Sequence, residues 1–410
     1  MRTIDFLRNN APWLSAGVLL TFLSGFGQTY FISIFSGEIR AAFDLSHGAW
    51  GGIYSLGTTV SAIAMVWAGT LTDFFRVRVL GTGVLAMLAL ACVAMLLVPN
   101  AWLLPVVIFA LRFSGQGMTS HIAVVAMSRW YVATRGRALS IASLGFSFGE
   151  ALLPLIFVAL MATYDWRLLW GLAALVTVLG IPILLSLLRH ERTPLSMSQN
   201  DQSTGMNARH WSRREVLHHR LFWFMIPAIL GPSAFNTAFF FQQVEFARTK
   251  GWEHVELVAL FPLYTIMGIV AMLVSGWALD KWGTARLIPY IQLPMCVAFV
   301  VFSYAAGPTG AVIGFFFLAL TTGANSTLPN AFWAEFYGTK NLGAIKATAT
   351  AVMVFGSAIG PGITGVFLDF GIGLEMQYIA IAVYFVFSSM MMKIGIAGSK
   401  QQLEGTPVVK

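Results

Sequence analysis

The chain has 410 residues, of which 57% are hydrophobic and 10% are charged, whereas an average soluble domain has about 25% charged residues. This composition argues against a soluble globular protein and indicates a chain that lies mostly in lipid. The net charge of +8 would suggest nucleic acid in a soluble chain, but here the basic residues fall in loops between apolar segments. We therefore expect a lipid bilayer as the surroundings and no nucleic-acid partner.

Apolar segments long enough to cross a bilayer recur along the whole chain. A helix rises about 1.5 Å per residue, so about 20 apolar residues span a hydrocarbon core of about 30 Å. Twelve segments meet this criterion, and in chain order they are residues 12–35, 49–70, 79–98, 102–128, 139–162, 167–188, 220–247, 255–278, 287–306, 309–333, 344–368 and 375–394. The sequence predicts an all-α membrane protein with twelve transmembrane helices.

The distribution of Lys and Arg predicts the orientation, because short cytoplasmic loops are enriched in both. With the N-terminus inside, 20 of the 25 basic residues lie on the cytoplasmic side, four lie outside, and Arg112 lies within a span. An even number of spans returns the chain to the side where it began. Both termini are therefore predicted to be cytoplasmic.

Two pairs of related segments divide the spans into halves. GTLTDFFRVR (69–78) follows the second span and GWALDKWGTAR (276–286) follows the eighth, and their Asp residues are 207 positions apart. FGEALLP (148–154) in the fifth span and FGSAIGP (355–361) in the eleventh share Phe, Gly, Ala and Pro at the same offset. This repeat predicts two pseudo-symmetric bundles of six helices.

The domain boundaries follow from this division. We expect an N-terminal bundle at 1–188, a cytoplasmic linker at 189–219, a C-terminal bundle at 220–396 and a cytoplasmic tail at 397–410. The linker contains SMSQNDQSTGMN, and such a polar composition is typical of a linker rather than of a folded domain.

Twelve spans with two copies of this loop motif resemble the major facilitator superfamily over essentially the whole chain. That family carries a Gly-x-Leu-x-Asp-basic-x-Gly-x-basic motif after its second helix and a weaker copy in its second half. The two copies here retain, respectively, Gly69, Leu71, Asp73 and Arg78, and Gly276, Asp280, Lys281 and Gly283. The resemblance implies a secondary transporter with alternating access and a ligand site near the midplane.

The charged residues of the loop motif suggest a contact that depends on conformation. A carboxylate at the end of a membrane helix can accept hydrogen bonds from a neighbouring helix N-terminus and can pair with Arg. We expect Asp73 with Arg78, and Asp280 with Lys281, to act as a latch for one state. A purely topological role for the arginines is the alternative.

Arg112 and Glu150 are ionisable residues near the middle of the fourth and fifth spans. Such groups are costly at membrane depth unless they line a cavity or find a partner. Their similar depth on neighbouring helices predicts a pair, and Arg112 and Gln116 form an i, i+4 stripe. The resemblance implies proton coupling or anion binding for Arg112, and we assign proton coupling to Glu150. A structural ion pair is the alternative.

Uncharged polar residues inside the spans are further candidates for binding the substrate. Each could bond a ligand or another helix. With Arg112, the candidates are Gln28, Gln116, Asn236, Gln243 and Asn325. Lys346 opens the eleventh span, and its side chain is expected to extend to the cytoplasmic interface.

Other chemistries find little support in the sequence. It contains no Gly-Lys-Ser or Gly-Lys-Thr phosphate loop and no His-Glu-x-x-His or Cys-x-x-Cys metal motif. GFSFG (145–149) fits a nucleophile pattern but lies inside an apolar helix, not on a strand-to-helix turn. We expect no enzymatic activity, no cofactor and no metal site.

Two segments resemble one branch of the superfamily in particular. Residues 129–154 and 324–347 look like the bacterial branch similar to monocarboxylate transporters and oxalate–formate antiporters. This implies a small organic anion such as a monocarboxylate, moved with a proton or counter-substrate across the bacterial inner membrane, and we expect a monomer. The branch's anion carriers usually place an Arg in the eighth helix, whereas residues 255–279 contain no basic residue.

Two alternatives therefore stay open. One is an exporter of a drug-like or metabolite molecule by proton antiport. The other is a membrane receptor that binds a ligand without moving it.

Overall fold

The computed structural model describes residues 3–69, 71–131, 135–190, 204–338, 341–399 and 402–403. Within these ranges the chain forms helices joined by turns, and its only β pairing is an isolated bridge between Gly205 and Arg209. The predicted all-α class is confirmed.

Twelve principal helices, α1 to α12, follow one another along the described chain. The first six are α1 (Thr3–Leu23), α2 (His47–Ala68), α3 (Val77–Leu97), α4 (Leu104–Leu111, continued by Arg112–Thr119 and Ser120–Trp130), α5 (Arg135–Met161) and α6 (Trp166–Leu187). The last six are α7 (Arg220–Phe241), α8 (Phe261–Trp282), α9 (Leu293–Tyr304), α10 (Pro308–Asn325), α11 (Leu342–Asp369) and α12 (Leu374–Ala397).

Shorter helical segments extend or connect these helices. The α-helical ones are Thr29–Ile32, Ser36–Phe43, Leu71–Phe74, Arg213–His218, Gln243–Lys250, His254–Val258, Thr284–Leu287 and Leu328–Tyr337. The 3-10 turns are Ser24–Gly27, Ser33–Phe35, Ala101–Leu103, Met206–Ala208 and Ile288–Tyr290.

The number of membrane-length helices agrees with the twelve predicted spans. Ten helices are long and apolar enough to cross a membrane, and the pair Phe6–Gly27 and Thr29–Phe43, bent by 46°, adds an eleventh. The 22 residues of α2 are also mostly apolar. This helix completes the twelve.

The helices form two compact units with the same internal pairing. The first unit comprises Met1–Ser198 with Phe240–Glu245, and the second comprises Gln199–Phe239 with Phe246–Lys410. In the first unit α2 packs on α4 and α3 packs on α6, and in the second unit α8 packs on α10 and α9 packs on α12. Each pairing recurs six helices later, which is the arrangement that the sequence repeat implies.

Glycines of the repeated FG segments lie where two helix backbones come together. A Cβ added to Gly149 of α5 would lie 3.4 Å from the Phe22 carbonyl oxygen of α1, and one on Gly356 of α11 would lie 2.8 Å from the Leu230 carbonyl oxygen of α7. At Gly145, one turn earlier, the distance to a carbonyl oxygen of α1 would be only 2.0 Å. Small residues allow such close approach between membrane helices. The segment that matched a nucleophile pattern is thus a packing surface.

The second part of the expected linker packs onto the second unit. Trp211 is 5% exposed, its backbone N–H donates to the Tyr337 carbonyl oxygen at 3.1 Å, and Asn341 Nδ2 donates to the Trp211 carbonyl oxygen at 2.9 Å. The helix Arg213–His218 follows directly. Residues 204–219 are therefore anchored by the aromatic side chain of Trp211. The polar composition of the stretch as a whole gives no sign of this contact. Residues 191–203 lie outside the described ranges.

Candidate ligand and coupling sites

Arg112 is enclosed within the first unit, where it is 1% exposed. Its Nη1 donates hydrogen bonds to the Gly27 carbonyl oxygen and to Thr29 Oγ1, both at 3.2 Å. Its guanidinium carbon lies 5.4 Å from the centre of the Tyr54 ring, and the Tyr54 hydroxyl shares a 2.6 Å hydrogen bond with Thr29. Arg112 Nε has no hydrogen-bond partner within the described residues. Uncharged groups alone therefore hold this buried cation in the described structure.

The expected ion pair between Arg112 and Glu150 is not formed in this structure. Arg112 bonds to Gly27 and Thr29, just after α1, whereas Glu150 on α5 is half-buried. A Cβ added to Gly149, the residue before Glu150, would lie 2.9 Å from the Tyr30 hydroxyl oxygen. The Tyr30 hydroxyl is buried and has no hydrogen-bond partner among the described residues. The prediction rested on depth along each helix, which leaves the direction of a side chain around the helix axis open. The Tyr30 hydroxyl instead lies against α5 at Gly149, next to Glu150.

The fourth span contains an eight-residue π-helix, Arg112–Thr119. Thr119 Oγ1 donates to the Ser114 carbonyl oxygen, five residues earlier, at 2.6 Å. Arg112 and Gln116, the two residues of the predicted i, i+4 stripe, both lie within this π-helix. Gln116 is half-buried and makes no hydrogen bond to a described residue. Because π segments are rare and often occur at functional sites, this stretch remains a candidate site.

The bend at Gln28, between the 3-10 turn Ser24–Gly27 that follows α1 and the segment Thr29–Ile32, lies against this π-helix. A Cβ added to Gly27 would lie 2.2 Å from the Leu111 carbonyl oxygen, and one on Gly115 would lie 2.6 Å from Gly27 Cα. The two backbones therefore touch where α1 changes direction. A helix break exposes backbone carbonyl groups, and Arg112 satisfies the one at Gly27. Gln28 is buried at the bend, and its side-chain amide makes no hydrogen bond to a described residue.

Gln243 is fully buried within the first unit. Its Nε2 donates to the Tyr30 carbonyl oxygen at 3.3 Å and to Ser33 Oγ at 2.6 Å. Two residues earlier, the Phe241 ring stacks on the Trp50 ring with their centres 5.7 Å apart. Gln243 therefore uses its amide for packing in this conformation and is not available to a ligand.

A cavity of about 430 Å³ lies within the second unit, between α7, α9, α10, α11 and α12. Asn236 and Asn325, both predicted to bind substrate, line it. Its volume falls in the range of about 300–1,000 Å³ that small-molecule sites occupy. The other polar groups on its wall are Ser233, Gln292, Thr322, Lys346 and Thr350, and the larger apolar groups are Met225, Met295, Met353, Met392, Phe332 and Trp333.

Lys346 adds a positive charge to the wall of this cavity. It is half-buried, and its ammonium group forms no ion pair or hydrogen bond with a described residue. Asn236 Oδ1 is likewise buried without a partner in the described chain. Sequence analysis missed Lys346 as a site residue because its position near the start of a span favoured an interfacial side chain. The one signal available was that α11 contains no other basic residue.

The four latch residues are described only in part. Arg78 is half-buried at the start of α3. Lys281 is exposed at the end of α8, with its Nζ 5.1 Å from the centre of the Trp277 ring. The side chains of Asp73 and Asp280 lie outside the described part of the structure, so the latch stays a prediction.

The donor groups at these sites suit anions and neutral polar molecules better than metal ions. The described residues include no group of three or more His, Cys, Asp or Glu side chains that could hold a metal. Around Arg112 and Lys346 the polar groups are guanidinium, ammonium, amide and hydroxyl. The two cations among them repel metal ions and attract carboxylates.

Comparisons with known proteins agree with this architecture. The sequence model of the Major Facilitator Superfamily matches residues 17–361. Monocarboxylate transporter 13 from Bos taurus is 26% identical over 358 residues, which cover 84% of this chain and 79% of that protein.

Two solved structures share the fold. One is a bacterial homologue of the human lysosomal transporter Spinster in an inward-facing, unoccupied conformation, with a TM-score of 0.66, 16% identity and coverage of 98% of this chain and 99% of the other. A D-xylose-proton symporter has a TM-score of 0.69 and 13% identity, covering 93% of this chain and 96% of the other. With its twelve helices, its internal repeat and a family match over most of its length, this chain belongs to the Major Facilitator Superfamily, whose members are membrane transporters and not enzymes.

Proposed function

We propose that this transporter moves a small organic anion, such as a monocarboxylate, by alternating access with proton coupling or exchange. The observation that supports the substrate class is the Lys346 ammonium, which has no partner among the described residues and lines a cavity of about 430 Å³. A half-buried ammonium group without a partner is costly, and a bound anion offsets that cost. The similarity to a monocarboxylate transporter points to the same class.

The wall of the cavity matches the two ends of such a solute. The substrate carboxylate accepts charge-assisted hydrogen bonds from Lys346 and further hydrogen bonds from the amides of Asn236 and Asn325. The short apolar part of the solute lies against the methionines and Trp333. Anion carriers of the similar branch usually have an Arg in the eighth helix, and this chain has no basic residue there. Lys346 supplies a basic group in its place.

We assign the proton step to Glu150, and Arg112 responds to its charge. Glu150 follows Gly149, which lies against the buried Tyr30 hydroxyl, and Arg112 is enclosed beside Gln28. Arg112 therefore reaches a ligand only after its contacts with Gly27 and Thr29 rearrange within the first unit. Glu150→Gln should abolish uptake driven by a pH gradient while retaining exchange of substrate. Normal pH-driven uptake by the folded variant would rule out this role.

The orientation and the latch belong to the same proposal. Both termini face the cytoplasm of a bacterial inner membrane, and the transporter is a monomer. Tags at Met1 and Lys410 should be protected from impermeant reagents in intact cells. Asp73→Asn should slow transport without weakening ligand binding, whereas an unchanged rate would leave the loop motif with a topological role only.

The test of the substrate class compares a carboxylate with its neutral amide. Proteoliposomes containing the purified transporter should show counterflow of labelled lactate but not of labelled lactamide. Lys346→Gln should raise the KM for lactate at least tenfold, while Lys346→Arg should keep much of the affinity. Lys393→Gln removes an exposed lysine of α12 and serves as the control. Equal transport of lactate and lactamide by the wild type would contradict the anion assignment.

A second candidate is an exporter of an apolar or drug-like molecule, which the methionine-rich and aromatic part of the cavity favours. Such a substrate depends on the apolar wall more than on the charge. Thermal-shift assays with hydrophobic amines and with organic acids separate the two. Stabilisation of the wild type and Lys346→Gln alike by the amines would favour the exporter.

A further inference from the structure

A second cleft, of about 680 Å³, lies in the first unit between the start of α3 and the end of α6. The two helices pack together, and a Cβ added to Gly81 would lie 3.0 Å from Leu184 Cδ2. The cleft lies beyond this contact, toward the first residues of α3 and the last residues of α6. It is separate from both the Arg112 site and the Lys346 cavity.

Three guanidinium groups line this cleft, from Arg76, Arg78 and Arg189. None of them forms an ion pair or donates a side-chain hydrogen bond to a described residue. Arg76 is also the N-cap residue of α3, and its own side chain does not cap the helix. The dipole of this 21-residue helix adds to the positive potential at its N-terminus. Planar guanidinium groups match the geometry of phosphate oxygens, which accept two hydrogen bonds from one Arg.

The rest of the lining combines two polar residues, Thr82 and His190, with the apolar residues Val79, Leu185 and Leu188. The Thr82 hydroxyl donates to the Arg78 carbonyl oxygen at 2.8 Å, and Val79 is 61% exposed. The apolar part of the wall distinguishes this cleft from a site for a free phosphate ion. These residues belong to helices that we expect to cross the bilayer, next to the cytoplasmic head groups. A ligand that fills the cleft has an anionic head and a hydrocarbon tail. Basic pockets between membrane helices on the cytoplasmic side have this chemistry when they bind phospholipids.

We propose that this cleft binds an anionic phospholipid, with its phosphate between Arg76, Arg78 and Arg189 and an acyl chain against Val79 and Leu185. The three arginines then do more than set the orientation of the chain, because their charges converge on one ligand. A bound lipid also bridges the adjacent ends of α3 and α6.

Native mass spectrometry of the full-length, delipidated transporter tests this proposal. The probes are phosphatidylglycerol, phosphatidylcholine with the same chains, and glycerol 3-phosphate. The first phosphatidylglycerol should bind at least tenfold more tightly than phosphatidylcholine, and glycerol 3-phosphate should not bind measurably. Arg76→Gln/Arg189→Gln should abolish this preference. Arg213→Gln/Arg214→Gln removes two exposed charges from the linker and should retain it.

Several results would overturn the proposal. Equal affinity for the two lipids would mean that the arginines do not select the head group, and tight binding of glycerol 3-phosphate would assign the cleft to a soluble organophosphate. Equal losses in the two double variants would indicate a general charge effect. If the arginine variant does not fold, Val79→Trp fills the cleft from its exposed side and should weaken phosphatidylglycerol binding at least tenfold. Unchanged binding in this variant would exclude the cleft.

Discussion

The two units each contain a basic side chain among apolar helices, but they accommodate it in different ways. Arg112 is 1% exposed and bonded to a backbone carbonyl, a hydroxyl and an aromatic ring of its own unit. Lys346 is half-buried on the wall of a cavity and bonds to no described residue. The first cation bonds to groups of its own unit, and the second is the one that we propose to bind a ligand. Membrane depth alone therefore does not separate a structural cation from a candidate ligand-binding one.

The largest expected effect tests the closed packing around Arg112. Gly115→Val should prevent the first unit from folding, because its Cβ would lie 2.6 Å from Gly27 Cα and 2.8 Å from Gly27 N. Overpacking costs about 1–3 kcal/mol and more where backbone atoms clash. Gly83→Val on α3 is the control, since an added Cβ there meets nothing within 4 Å. Size-exclusion profiles and thermal unfolding report the outcome, and a wild-type Tm for Gly115→Val would contradict the close backbone contact.

The next prediction replaces one basic residue in each unit, Arg112 and Lys346, by Gln. Arg112→Gln should lower the free energy of unfolding by about 2–4 kcal/mol, because hydrogen bonds from a charged donor contribute about 1.5–3 kcal/mol each. Lys346→Gln should change it by less than about 0.5 kcal/mol, because no described interaction is lost. Thermal unfolding of both variants in the same detergent measures this difference. Equal destabilisation would remove the distinction between a structural and a ligand-binding cation.

Much of the architecture could be predicted from the sequence because it depends on features of the backbone and on segment length. Twelve apolar runs set the number of helices, and the glycines of the FG repeat lie at helix crossings in both units. Prediction failed where a side-chain direction was needed. Depth along the helices matches Arg112 with Glu150, but Arg112 instead bonds to Gly27 and Thr29 on either side of Gln28. The position of Lys346 near the start of a span predicts an interfacial side chain, but position along a helix does not say which side faces a cavity.

A finer test removes one neutral polar group from each site. Thr29→Val should destabilise the protein by about 1–3 kcal/mol, because it takes a partner from both Arg112 and Tyr54. Asn236→Leu should leave stability unchanged or raise it slightly, because a buried unpartnered oxygen is replaced by hydrocarbon. The same Asn236 variant should raise the KM for the substrate. A large loss of stability from Asn236→Leu would show that this side chain is structural, like Thr29.

The smallest expected effect lies outside the membrane spans, at two consecutive histidines of the linker. His219 lies against the Trp211 ring, with ring centres 4.8 Å apart, and its Nδ1 is 3.3 Å from the Tyr337 hydroxyl. His218 is exposed. Partial burial lowers the pKa of His219 below its usual value, and the nearby Arg220 lowers this pKa further, although a hydrogen bond with Gln402 opposes the shift. His219 is thus another ionisable group used in packing.

Because the pKa of His219 is lowered, the docking of residues 204–219 onto the rest of the second unit should weaken as the pH falls. The docked segment binds fewer protons than the undocked one, so the contribution of His219 is complete above its ordinary pKa of about 6.5 and is lost as the pH falls through the lower, docked value. The Glu215 carboxylate, whose pKa is lowered by hydrogen bonds from Ser212, stays ionised near pH 5.5. Hydrogen exchange of the segment, corrected for intrinsic rates, should therefore be faster at pH 5.5 than at pH 7.5. His219→Gln should abolish this difference and His218→Gln should preserve it, whereas an equal response in both variants would mean that burial of His219 does not control docking.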